Sequence, residues 1–126
     1  MKKILVAAMI ALFAICAFAQ EKEVARYSFT TAISDREPVD QLSTFTPVEG
    51  TSLYFFTELK NMEGEAHHLW YKNGELVYDC KSKVNGPRWG TSSSMKSAHF
   101  KARDEVKVEV TDASGTVLAT EMLTIN

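Results

Sequence analysis

The chain has 126 residues, of which 45% are hydrophobic, 24% charged and 10% aromatic, with a formal net charge of -2. That length fits one domain, and the ordinary composition excludes a collagen-like repeat, a disordered tail or a disulfide-dense mini-protein. A slightly acidic balance argues against nucleic acid as a partner, because phosphate contacts need clustered Lys and Arg.

At the start of the chain, Lys2 and Lys3 form a basic segment, and Ile4 to Phe18 is an apolar run without a charge. Ala17-Phe18-Ala19 then places small residues at the two positions a signal peptidase reads, so residues 1–19 are expected to be a signal peptide and Gln20 the first mature residue. The apolar run is shorter than the ~18–20 residues that cross a bilayer, so no stable membrane span is expected after cleavage. Cys16 follows Ile15 rather than a small residue, which disfavours a lipoprotein site. The short basic start and Ala-rich apolar run predict export to a bacterial periplasm or the extracellular space. The remaining 107 residues, 20–126, form one expected domain; without Lys2 and Lys3 they hold 12 basic against 16 acidic side chains, a net charge of -4. Cys80 is the only cysteine left, so no internal disulfide is available and stability must come from one packed core.

Along the mature chain the hydrophobic period is two. Ala25-Tyr27-Phe29-Thr31-Ile33 alternates with Arg26, Ser28 and Thr30 and reads as a half-buried strand. Leu53 to Thr57 reads as a short aromatic-rich strand buried on both faces. Ala66 to Tyr71 and Leu76 to Val84 flank Asn73-Gly74, the strongest local hairpin signal. Val106, Val108 and Val110 alternate with Lys107 and Glu109, and Asp112 to Gly115 turns that strand into Thr116 to Ile125. Pro38, Pro47 to Gly50 and Gly86-Pro87 mark the other connections. The pattern predicts an all-β fold, an immunoglobulin-like antiparallel β-sandwich of about seven or eight short strands, with a small barrel as the alternative.

Two registers are open at Asn73-Gly74. A two-residue turn pairs Lys72 with Glu75 and sets His67 opposite Cys80. A three-residue loop pairs Tyr71 with Glu75 and gathers Trp70, Leu76, Tyr78 and Cys80 on one face. The second is expected, because a one-residue slip sends those apolar groups to opposite sides.

Phe29 to Ile33, Asp35-Arg36-Glu37-Pro38-Val39-Asp40, Leu53 to Leu59, His68 to Tyr71, Gly86-Pro87-Arg88-Trp89, Ser93-Ser94 and the Asp112 to Leu118 turn occur in this order. Together they resemble the DUF2914 family of small bacterial envelope domains, over nearly the whole mature chain. The resemblance implies a location and a fold type but no activity. Gly90 and Ser92 stand where that family usually has Arg and Trp, so a basic-aromatic loop, if it binds in the family, is thinned here.

Five residues form the candidate ligand patch: Asp35, Arg36, Glu58, Arg88 and Trp89. Asp35 to Pro38 reads as a strand-end turn, or as a clamp in which Arg36 offers a planar fork to a carboxylate or phosphate. Trp89 beside Arg88 reads either as an exposed platform for a sugar or peptide with a nearby cation, or as a buried Trp under a snorkelling Arg.

Catalytic and metal readings are weaker. His67 and His68 are adjacent on a strand and point to opposite faces, so they do not chelate one ion, and no metal site or cofactor is expected. His68 reads as a core histidine bonded to a backbone group, and Cys80 as a small buried hydrophobe. Ser93-Ser94-Met95-Lys96 has a nucleophile-like spacing, but the helix and further motifs that chemistry requires are missing, and the segment reads as a loop.

The expected function is a non-catalytic envelope module that binds a partner protein, peptidoglycan or another glycan. One alternative is a small hydrolase or metal-dependent enzyme using His68, His99 and nearby carboxylates. The other is a structural, oligomerising or strand-adding domain.

Overall fold

A computed structural model describes residues 21–126. The expected signal peptide, Cys16 included, lies outside these residues. Eight strands and one short 3-10 turn run in the order β1 (Glu23–Thr30), β2 (Ile33–Ser34), β3 (Glu37–Pro38), β4 (Thr44–Phe45), β5 (Ser52–Lys72), β6 (Glu75–Lys96), the turn Ser97–His99, β7 (Glu105–Asp112) and β8 (Val117–Ile125). Among them no helix is long and apolar enough to cross a membrane.

The fold is organised by the long hairpin of β5 and β6. Its tip is a two-residue turn in which Asn73 (φ 51°) and Gly74 (φ 84°) both take left-handed geometry, as a type I′ hairpin requires. The Asn73 side chain fastens that tip to the start of β7, accepting from the Glu105 N–H and donating to the Asp104 carboxylate, both at 2.9 Å.

β6 runs along one side of β5 for its whole length. On the other side, β1 pairs with residues 54–60 and β7 with residues 66–72, both antiparallel. Between these stretches the backbone turns through Asn61 (φ 57°) and Gly64 (φ 102°), with Gly86 (φ 116°) on the facing part of β6. Glycine meets such angles without the steric penalty a side chain brings. The single sheet thereby curls into two layers. One holds β1, the first half of β5 and the last half of β6; the other holds the remaining halves with β7, β8 and β4. The β4–β8 pair is parallel.

The alternation read in the sequence fills the space between the layers. Phe29, Leu53, Phe55 and Leu59 from one layer meet Trp70, Val106, Val108, Val110, Leu123 and Ile125 from the other. Phe29 packs edge-on against Phe55 at 4.9 Å and against Trp70 at 5.9 Å between ring centroids, an arrangement that suits the aromatic quadrupole. A sandwich results, as the alternation predicts.

Three expectations need correction. The strands are not all short: 53–57 and 66–71 belong to one 21-residue strand, and Gly86-Pro87 and Ser93 to Lys96 lie inside the 22-residue β6 rather than in loops. Glycine bends a long strand here where the composition suggests a break. The three-residue hairpin loop is also absent. The turn pairs Lys72 with Glu75 and Tyr71 with Leu76, and a bulge then inserts one residue, so that Trp70 faces Tyr78 and His68 faces Cys80. Finally, Leu76 and Tyr78 are exposed, at 51% and 40%, instead of joining the core. β6 is an edge strand, with neighbours on one side only.

Candidate ligand-binding cleft

The short ribbon of β2 and β3 stands beside the outer face of the β1–β5–β6 layer. Its turn is Asp35-Arg36, with φ of 51° and 64°, closing the pair Ser34 and Glu37. Asp40 anchors the ribbon. Its carboxylate accepts from the Thr30 hydroxyl at 2.6 Å, the Thr31 N–H at 2.9 Å and the Thr31 hydroxyl at 2.6 Å. Desolvation raises the Asp40 pKa, but these donors outweigh it and hold the carboxyl below its ordinary value.

Between the ribbon and β6 lies a cleft of about 590 Å³, lined by Ile33, Arg36, Glu37, Phe56, Glu58, Arg88, Trp89, Gly90, Thr91 and Ser92. Strand register explains this set. Phe56, Glu58 and Lys60 share the outer face of β5 and lie opposite Ser92, Gly90 and Arg88 on β6. Gly90 adds no side chain over Phe56, whose ring, only 3% exposed, lies beneath the cleft as its floor. Trp89, opposite Leu59, starts from the inner face, but at the open edge of β6 it stays 41% exposed and closes the cleft's rim.

Charge in the cleft is arranged by a residue behind it. Arg26 donates to Glu37 at 2.8 Å and to Glu58 at 2.9 Å while lying 5.3 Å from the Phe56 ring centroid. The hydrogen bond from Arg26 holds the Glu58 carboxyl below its usual range, outweighing desolvation. One guanidinium thus holds both glutamates from the β1 side and offsets one of their two charges. Arg88 Nε lies 3.7 Å from Glu58, with its side chain 64% exposed, and Arg36 makes no ion pair among the described residues. Two guanidinium groups therefore face the cleft with most of their donors free.

Of the five candidate residues, Arg36, Glu58, Arg88 and Trp89 line this one cleft. Asp35 does not; it shapes the turn that carries Arg36. Arg88 and Trp89 do not lie side by side, since adjacent strand residues point to opposite faces, and the cleft reaches both by wrapping the edge of β6. Sequence reasoning missed Arg26, Ile33, Glu37, Phe56 and Gly90 as parts of the site. The pairing of Arg26 with Glu58 across β1 and β5 is visible only once the register is known.

The histidines stand elsewhere. His68 is buried and bonded to side-chain hydroxyls rather than the expected backbone group: Ser93 at 2.6 Å from Nδ1, and Thr57 and Thr91 at 3.0 and 3.2 Å from Nε2. Desolvation lowers its pKa to about 4, so the ring is neutral. Each ring nitrogen faces a hydroxyl, which serves as donor or acceptor for either tautomer. His67 points outward between Glu65 and Asp79, at 2.5 and 2.8 Å. His99 is exposed in the 3-10 turn. No group of three His, Cys, Asp or Glu side chains able to hold a metal ion occurs among the described residues.

Comparison with protein-family models gives no match, and comparison with curated proteins gives none. Among solved structures the chain is similar to an immunoglobulin-like protein from Pseudomonas aeruginosa, with a TM-score of 0.59 and 12% sequence identity, over 86% of this chain and 99% of that one. The likeness places the chain in the immunoglobulin-like fold class.

Proposed function

We propose that this chain is an exported envelope module that binds, without catalysis, a glycan carrying carboxylate groups in the cleft between the β2–β3 ribbon and β6. The observation that carries the reading is the charge arrangement: Arg26 holds Glu37 and Glu58 from behind, while Arg36 and Arg88 keep free donors on either side of an aromatic floor. A guanidinium fork matches a carboxylate, and an exposed indole offers a flat apolar platform to a sugar face. The free edges of Glu37 and Glu58, with Thr91 and Ser92, suit sugar hydroxyls. The signal-like residues 1–19 and the resemblance to DUF2914 envelope domains support a location beside the cell wall.

The test is co-sedimentation of the chain from Gln20 onward with purified peptidoglycan sacculi. The wild-type protein is expected to pellet with sacculi, and an Arg36→Ala/Arg88→Ala variant of equal urea stability to stay in the supernatant. Equal pelleting of the two, or none by either, would contradict the reading.

A further inference from the structure

We infer that the first half of β6 is a self-pairing edge, through which two copies of this chain join their sheets antiparallel about a twofold axis at Cys80. β6 pairs only with β5 among the described strands, so its outer side carries unpaired backbone groups over 22 residues. Natural sheets blunt such edges with Lys, Pro and bulges. The later part of β6 has Gly86-Pro87 and its middle has Lys81 and Lys83, but its beginning exposes Leu76, Val77 and Tyr78 in succession, at 51%, 42% and 40%.

Charge chooses the partner and the register. A twofold axis at Asp79 sets Asp79 against its own copy, and one at Lys81 sets Lys81 against its copy; like charges directly opposite are destabilising. An axis at Tyr78 draws the bulge at Leu76–Val77 into the new ladder. An axis at Cys80 avoids all three. It uses the segment from Tyr78 onward, which pairs with β5 in constant register, and sets Asp79 of each copy opposite Lys81 of the other. Tyr78 then faces Ser82, and the ladder ends before the bulge. Asp79 receives a bond from His67 on Oδ1 only, which leaves Oδ2 for the incoming ammonium. The cleft around residues 88–92 stays outside this segment, so dimer and ligand reading stand or fall separately.

Directly opposed residues of an antiparallel pair have Cα atoms about 4.5–5.5 Å apart, inside the span of about 4.4–6.8 Å that a disulfide bridges. Cys80 therefore reports the register. Sedimentation equilibrium of the chain from Gln20 onward, run over a dilution series, is expected to give a reversible dimer. Lys81→Asp turns two cross-strand pairs repulsive and should weaken it on the order of tenfold. The swap Asp79→Lys/Lys81→Asp should restore it, with urea unfolding confirming that each variant is folded. Copper-phenanthroline, which takes two electrons and two protons from the thiol pair, should link Cys80 to Cys80 in the wild-type dimer. A monomer at every concentration, a dimer indifferent to Lys81→Asp, or a dimer without the Cys80 link would overturn the inference.

Discussion

The indole N–H of Trp70 donates to the Ser93 hydroxyl at 2.8 Å, and this bond crosses the sandwich from one layer to the other. The same oxygen lies 2.6 Å from His68 Nδ1, so one hydroxyl satisfies two buried ring nitrogens. With Thr57 and Thr91 on Nε2, the network leaves no buried side-chain polar atom unpaired among the described residues. Removing the hydroxyl by Ser93→Ala strands both partners, each at about 1–3 kcal/mol, so a loss of roughly 3 kcal/mol is expected in urea unfolding. Ser94→Ala, on the exposed neighbouring position, should change stability by less than about 0.5 kcal/mol.

His68 gives the fold an acid-sensitive range. Its folded pKa, lowered by desolvation to about 4 from 6.5, means that the unfolded chain binds the proton first. Stability is therefore complete above the unfolded value and falls as pH drops from 6.5 toward 4, by up to about 1.4 kcal/mol per pH unit and roughly 3 kcal/mol in all. Urea midpoints measured across this window should show the slope, and His68→Gln should flatten it.

Arg36 occupies the second left-handed position of its turn, where glycine is the ordinary choice and a side chain costs about 1 kcal/mol. Arg36→Gly should leave stability unchanged or raise it by up to about 1 kcal/mol, because relieved strain outweighs or balances the added freedom of the unfolded chain. Sacculus binding should fall. A residue kept at a conformational cost for its charge gives this opposite movement of stability and affinity; a purely structural residue does not.

Gly90 separates the cleft from the scaffold. A Cβ built there meets only Phe56 Cε1 at 3.8 Å and the Thr57 carbonyl at 4.0 Å, both ordinary contacts. Gly90→Leu should thus stay folded, with urea stability within about 1 kcal/mol of wild type, while its side chain covers the Phe56 floor. Binding in the cleft should be lost although both arginines remain.

The fold class was legible because period-two alternation survives in Phe29, Val106, Val108 and Val110, whose neighbours are polar. The continuity of β5 and β6 was not, because Gly64 and Gly86 carry the same local signal whether they end a strand or bend it. The hairpin register failed for a related reason: apolar Leu76, Val77 and Tyr78 imply a core face, yet they lie on an unpaired edge that only the full strand order reveals. Arg36, Arg88 and Trp89 stood out by side-chain chemistry alone. Arg26 and Gly90 did not, since their roles arise from what lies opposite them on the neighbouring strand. The hydroxyl partners of His68 were hidden in the same way, some twenty-five residues away in the case of Ser93.

The most direct test of the cleft is a heteronuclear NMR titration with soluble peptidoglycan fragments, read at the two tryptophan indoles. The chain holds only Trp70, fully buried, and Trp89, at the rim of the cleft. Progressive shifts of the Trp89 indole and of the Arg36 and Arg88 side-chain N–H signals, with the Trp70 indole still, are the predicted result. Shifts clustered on another surface, or no shift at Trp89 when the fragments are in excess, would contradict the account.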